Sequence, residues 1–230
     1  MGLGERLRHT ETSLLRGVHS VRRAWLLGGL RVRAAWRRTT LDLDVASDLR
    51  VGRGVRVQVA PRSHLRIHIA PRCRIGDDVL LFLTAGAIEW GEDVQLRVRS
   101  SLNLTGTFRC DGDNIISYGT VIHCLESIRL RQWAACAEYA TIADSAHFHS
   151  APDVAASENT VSAPIDIGKN VFLGPRTSIN RGVTIGDYSI VGPNSVVTRD
   201  LPAGSFASGV PATIVRELDL PWERTPRPTP

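Results

Sequence analysis

Two of the seven histidines in this 230-residue chain stand close together in a small, polar segment, Asp144-Ser145-Ala146-His147-Phe148-His149. An imidazole has an unperturbed pKa of about 6.5, so it is largely neutral at physiological pH and can accept a proton. A neutral imidazole placed against a hydroxyl or an amine can deprotonate it as it attacks a carbonyl, which is general-base chemistry. His147 and His149 lie two residues apart and share one side of an extended chain. Histidine is also the commonest partner of zinc in such sites, so a metal-binding use of His123, His147 and His149 is the other chemistry these residues offer.

The elements that would position them follow a strict period. The stretch from Ile167 to Leu201 divides into six-residue blocks that open on Ile167, Leu173, Ile179, Ile185, Val191 and Val197. Neither a helix nor a half-buried strand repeats at six. Short flat strands joined by tight turns do, each block sending one aliphatic side chain to a shared interior, and such hexads signal a parallel β-helix. Asn170 and Asn194 fall at the turns, where positive φ is needed and Asn tolerates it. Earlier blocks open at Val51, Val57 and Ser63, then at 69, 75 and 81, at 90, 96 and 102, at 110, 116 and 122, and at 130, 136 and 142. Together these predict seven three-sided coils, roughly 34 Å of prism at the ~4.8 Å strand spacing. The frames at 90, 110 and 130 are spaced by 20, so those coils carry two extra residues. Ile142 and Ile167 are 25 residues apart, which predicts a loop thrown out of the prism over 143–166, bearing His147 and His149. Scaffold-borne loops are where function concentrates.

The run resembles the hexapeptide-repeat acyltransferases, and among them the sugar and polysaccharide O-acetyltransferases. The resemblance is carried by the hexads and by the close, Val196-Val197-Thr198-Arg199-Asp200-Leu201-Pro202 followed by Gly209-Val210-Pro211-Ala212. It implies an all-β solenoid, a left-handed parallel β-helix. The handedness comes from the resemblance alone, since about 98% of parallel crossovers are right-handed. It also implies acetyl-CoA as cosubstrate and no metal. The motif Ile142-Ala143-Asp144-Ser145-Ala146-His147 carries the base role to His147, with Asp144 as a group that can orient the imidazole and His149 as a rival base. The donor groove of the family maps to Gly174 and Gly192 for close backbone approach, and to Thr198 and Arg199 for the nucleotide phosphates. Lys169 and Arg181 add charge. Pro175 and Pro193 follow the two glycines and cannot donate hydrogen bonds, so any amide contact there must come from a neighbour. The family assembles as a homotrimer with its site between subunits.

Composition adds an appendage at each end. Residues 1–40 hold nine Arg against two Glu, whereas the rest of the chain is slightly acidic. Such a division argues against a nucleic-acid-binding body and for an arm with its own partner. Domains are expected at 1–47 (a basic amphipathic helical arm, broken at Gly28-Gly29), 48–217 (the β-helix) and 218–230 (a Pro-rich tail with Trp222). Leu7, Leu14, Val18, Val21 and Trp25 make a helical stripe among arginines. It can lie on an anionic membrane surface through residues 1–38, or cap the open first coil. The segment is too short and too charged to span a bilayer, and four cysteines without C-x-x-C spacing suit a reducing compartment. The expected location is cytoplasmic, at most peripheral at the inner membrane face, and the expected acceptor is a carbohydrate or glycolipid. Two other functions remain: a non-catalytic β-helix scaffold or sensor, and a γ-class carbonic anhydrase-like metalloprotein. The latter lacks that family's histidines five apart.

Overall fold

The computed structural model describes residues 3–152 and 155–220, with the helix side chains described from residue 17 onward. Trp222 and the tail from residue 221 lie outside the described residues, as do the side chains of Leu7 and Leu14. The body is a parallel β-solenoid of seven three-sided coils. Each coil gives one strand to each of three sheets, of seven, nine and seven strands. In the sixth coil these strands are Ile165–Ile167, Phe172–Leu173 and Ser178–Ile179.

Every block start predicted from the period is buried except Ser63. Inward residues stack coil on coil. Trp90, Cys110, Leu130, Ile167 and Ile185 form one column of the first sheet. Leu102, Ile122, Ile142, Ile179 and Val197 form another in the third. A row of aliphatic side chains one strand spacing apart is a continuous apolar core that no single coil could bury alone. The 20-residue spacing is the observed register, Ile88 to Phe108 to Ile128. The two extra residues lengthen the strands before and after one corner to four residues, as in Ser101–Leu104 and Thr107–Cys110. Asn170 and Asn194 sit at φ 54° and 57° as their turns require.

Two boundaries differ from the sequence expectation. One helix, Leu3–Arg37 (α1), runs through Gly28-Gly29 without a break. Glycine in a helix costs about 1 kcal/mol, but Leu26, Leu30 and Ala34 bracket the pair and are buried against the first coil. The solenoid then starts at Thr40, ahead of the expected 48, because Thr40–Val45 pairs along its whole length with His64–Ile69. Its side chains alternate at two rather than six, so the hexad frame does not register it. At the other end Ala212–Glu217 pairs antiparallel with Ser205–Gly209 and closes the second sheet.

The outer faces differ in chemistry. The first sheet carries polar contacts from coil to coil, including the His68–Asp44 hydrogen bond at 2.8 Å and the ion pairs Arg129–Asp111 and Arg131–Asp166 at 2.7 Å each. The second presents Ile115, Ala135, Phe172, Ile190 and Phe206 in register. The third presents Ser101, Val121, Thr141, Ser178 and Val196.

Candidate functional site

Asp144 decides how the loop leaves the prism. At the corner between the third and first sheets, each coil's amides are satisfied by the next coil's carbonyls. Thr105 and Gly106 donate to Cys124 O, and Thr107 donates to Glu126 O. One coil further on, the chain departs and no such carbonyls follow. The Asp144 carboxylate takes their place: Leu125 N–H donates to Oδ1 (2.7 Å), while Glu126 and Ser127 donate to Oδ2 (2.8 Å each). Asp144 is fully buried, and three orphan amides make a strong acceptor demand there. This corrects the expectation that Asp144 orients the His147 ring. Its oxygens serve the corner, and the imidazole is held by something else.

The extruded segment folds back as an antiparallel hairpin, Ser145–His147 against Thr160–Ser162, with a short 3₁₀ turn at Ala156–Glu158. Ser145 faces Ser162 and His147 faces Thr160. Ser162 Oγ donates to Glu126 Oε2 at 2.8 Å, tying the hairpin to the corner below. His147 Nδ1 lies 3.1 Å from the Asn159 carbonyl oxygen and 3.3 Å from Thr160 Oγ1. A carbonyl oxygen only accepts, so Nδ1 carries a proton in this contact, and in the neutral ring Nε2 keeps its lone pair. That tautomer is the one a general base needs. His147, Phe148 and His149 are all exposed, with the Phe148 ring between the two histidines in sequence. No partner fixes the His149 ring among the described residues. Asn159 and Thr160 were not foreseen from sequence. A backbone carbonyl leaves no side-chain signal, and the alternating Thr160-Val161-Ser162 run was the only trace of the second strand.

The remaining predicted residues fall on three different corners. Arg181 and Thr198-Arg199 lie between the third and first sheets, on the coils immediately following the one that releases the hairpin. All three are exposed, and neither arginine forms an ion pair among the described residues. His147, Arg181 and Arg199 therefore share one edge of the prism. Lys169 lies on the corner between the first and second sheets, its Nζ 4.6 Å from the Trp133 ring centroid. Gly174 and Gly192 lie on the corner between the second and third sheets. Their amides are spent within the solenoid, donating to Val191 O and Ala207 O at 2.8 Å each. A Cβ on Gly174 would come within 2.8 Å of Val191 O and Pro193 N, and one on Gly192 within 2.8 Å of Ser208 Oγ. These glycines permit the close stacking of successive coils.

Among the described residues no three His, Cys, Asp or Glu come together as a metal-binding group. His123 lies on the third face, where Asn103 Nδ2 donates to its Nδ1 at 3.2 Å. No described helix is long and apolar enough to cross a membrane.

Comparison with known proteins bears on the C-terminal coils. Residues 164–199 match the family model of the bacterial transferase hexapeptide (six repeats). No curated protein matches the chain in sequence. Among solved structures, the chain is similar to a hexapeptide-repeat acetyltransferase from Vibrio cholerae O1 biovar eltor complexed with acetyl coenzyme A. The identity is 22% over 66% of this chain and 70% of that one, with a TM-score of 0.47. A maltose O-acetyltransferase from Clostridium difficile 630 is 21% identical over 67% of each chain, with a TM-score of 0.41. An N-acyltransferase from Bacillus cereus, in complex with dTDP-4-amino-4,6-dideoxyglucose and coenzyme A, is 16% identical over 76% of this chain and 86% of that one, with a TM-score of 0.45. The matched residues are those that build the sixth and seventh coils, from the strand at Ile165 to the one at Val197. Over residues 164–199, which build its last two coils, the chain thus matches the bacterial transferase hexapeptide repeat.

Proposed function

We propose that this chain is an acyl-CoA-dependent O-acetyltransferase that acts on a sugar hydroxyl of a surface polysaccharide, a glycolipid or its precursor. The observation that carries the proposal is the hydrogen bond from His147 Nδ1 to Asn159 O, which leaves Nε2 free as a base on an exposed hairpin. In the proposed reaction Nε2 takes the proton of the acceptor hydroxyl as its oxygen attacks the thioester carbonyl. The C–O bond forms, the tetrahedral intermediate collapses with loss of the C–S bond, and the imidazolium returns its proton to the leaving thiolate. The Asn159 carbonyl fixes the ring and stabilises the cation while it lasts.

Arg181 and Arg199, exposed on the same edge, supply cations for the phosphates of coenzyme A. The exposed Phe148 ring, next to His147 in sequence, offers a flat apolar face for the C–H face of a sugar ring. The resemblance of an Arg-rich arm ahead of hexads to sugar O-acetyltransferases supports a carbohydrate acceptor. The apolar second face and the small-residue third face support a homotrimer. A cytoplasmic protein held at the inner membrane face through residues 1–38 accords with the arm's net charge of +7.

Thiol release from acetyl-CoA in the presence of a panel of sugars and sugar nucleotides tests the proposal. Turnover with a hydroxyl acceptor is the expected result. Turnover only with amino sugars would make the chain an N-acetyltransferase. Failure both to turn over and to bind coenzyme A at millimolar concentration would favour a non-catalytic scaffold.

A further inference from the structure

Helix α1 has two apolar faces, and the solenoid uses only one. Leu26, Leu30 and Ala34 are buried against the first coil, and His19 Nδ1 lies 3.0 Å from Val51 O. Val18, Val21, Trp25, Val32 and Trp36 recur at intervals of three, four or seven along an adjacent flank, and all are exposed, Trp25 at 72% and Trp36 at 78%. A helix that merely capped the coil would have a polar outer face. Two tryptophans left in water on a helix whose inner face is satisfied call for a partner.

A groove opens beside this stripe. Val21, Trp25 and Leu26 form one wall, while Val51, Val55, Gly52 and Gly54 of the first coil form the other. Its volume is about 670 Å³. Arg22, Arg53 and Arg56 stand at its rim, opposed within the lining by Asp78 alone. Arg53 is paired with Asp77 at 3.2 Å, and the charge of Arg22 also acts on that carboxylate, whereas Arg56 has no ion pair among the described residues. The described part of the helix brings Arg31, Arg33 and Arg37 as well. The chemistry is apolar within and cationic around.

We infer that the outer face of α1 and this groove form a docking site for an anionic lipid surface. The Val/Trp stripe enters the acyl boundary, one acyl chain occupies the groove, and the arginines meet the phosphate headgroups. Charge selects this occupant. A second copy of the helix would bring equal positive charge against the stripe, whereas anionic headgroups neutralise it. The prism would then stand with its first coil toward the bilayer. The inference deepens the membrane contact proposed for residues 1–38 and does not rest on the acetyl-transfer chemistry.

The test is co-sedimentation of the full chain with vesicles of phosphatidylcholine alone, and with vesicles that also hold phosphatidylglycerol. Binding to the anionic vesicles only, weakened by salt, is expected. Trp25→Ala with Trp36→Ala should reduce the bound fraction at least tenfold. Each of Arg22→Ala and Arg56→Ala should weaken partitioning about fivefold, the worth of roughly one interfacial charge. Val55→Trp, which fills the groove without changing charge, should weaken it as well. All five positions are outside the buried core, and an unchanged melting temperature confirms that the variants fold. Equal binding to both kinds of vesicle, no binding at all, or variants that bind like the wild type would overturn the inference. So would a fall in oligomeric mass on removing Trp25 and Trp36, which would assign the stripe to a second copy.

Discussion

His147 and Asn159 are joined ring to backbone across a hairpin, with Nδ1 3.1 Å from the carbonyl oxygen. The contact has a defined polarity. Because the carbonyl cannot donate, Nδ1 must carry a proton, so the neutral ring bound this way keeps the Nε2 lone pair, and it does so without a buried carboxylate. The hairpin that brings the two together is anchored at one end by Asp144 and at the other by Ser162 on Glu126.

The first prediction concerns the base. His147→Ala should lower kcat by about 10²–10⁴, the usual worth of a general base, with acetyl-CoA affinity nearly unchanged. His149→Ala should cost less, mainly in acceptor KM, since no partner fixes its ring. Steady-state kinetics with the best acceptor from the panel decides. Loss of turnover in His149→Ala but not in His147→Ala would move the base by two residues and leave the reaction class standing.

Asp144→Asn separates structure from catalysis. The amide keeps the shape but offers one acceptor oxygen where three corner N–H groups converge on a fully buried side chain, and it turns its own NH₂ toward the others. An unsatisfied buried polar group costs about 1–3 kcal/mol, so a loss of about 2–4 kcal/mol is expected. In a chain of this size that is a drop in Tm of roughly 5–15 °C. Turnover per folded molecule should change less than tenfold. A large loss of kcat at wild-type Tm would restore the imidazole-orienting role that the observed geometry gives to Asn159.

These two residues also mark what the sequence disclosed. The repeat was legible because a six-residue period admits only one way to bury Ile167, Leu173 and Ile179 together. The extrusion was legible as a break in that period. What the break contained was not. Asp144 reads as a partner for the His147 ring until the missing carbonyls at the corner are located in space, and Asn159 acts through its backbone, which no side-chain pattern reports. Gly174 and Gly192 do mark close approach, and in the fold the group that approaches them is the next coil. The helix was read as broken because Gly28-Gly29 is a local signal, and the burial of Leu26 and Leu30 that overrides it is a tertiary one.

The third prediction uses the corners. Arg199→Ala and Arg181→Ala should each raise the KM for acetyl-CoA about tenfold, the scale of a lost charge-assisted contact to phosphate, and leave kcat within a factor of about three. Lys169→Ala should have little effect on that KM, because Lys169 lies on another corner and is engaged with Trp133. Dephospho-coenzyme A as a competing ligand would show which phosphate each arginine meets. If Lys169 matters and Arg199 does not, the donor runs along the wrong edge in this proposal.

Assembly is the fourth. Phe172 is exposed in the middle of an apolar row on the second face, and Phe172→Arg should break a trimer into monomers, read by sedimentation velocity. Thr184→Arg, on the ion-paired first face, should leave the mass unchanged. A wild type that sediments as a stable, fully active monomer would remove the trimer from the proposal.

The last prediction concerns the four thiols. Cys73, Cys110, Cys124 and Cys136 all face the interior and are free. Burial disfavours the thiolate, pushing Cys73 up to about 11 and Cys136 up to about 12. Cys124 is raised to about 12, first by burial and then by the charge of Asp144. Cys110 is raised well above its ordinary value by burial. A folded-state pKa above the unfolded one means that the neutral form is the one the fold accommodates. The associated stability is complete below the unfolded thiol pKa, near about 8.5, and is lost as pH rises from there toward about 12. Tm should therefore stay level through neutral pH and fall above about 8.5. At pH 8 a thiol-specific reagent should leave the native chain unmodified and label all four cysteines once denaturant is added, since the thiolate is the reactive species. Rapid labelling of any one cysteine in the native protein would show that its column of the core opens. Cys124 would be the telling case, because it lies on the strand whose corner amides Asp144 caps, so its protection and the Asp144→Asn destabilisation must move together.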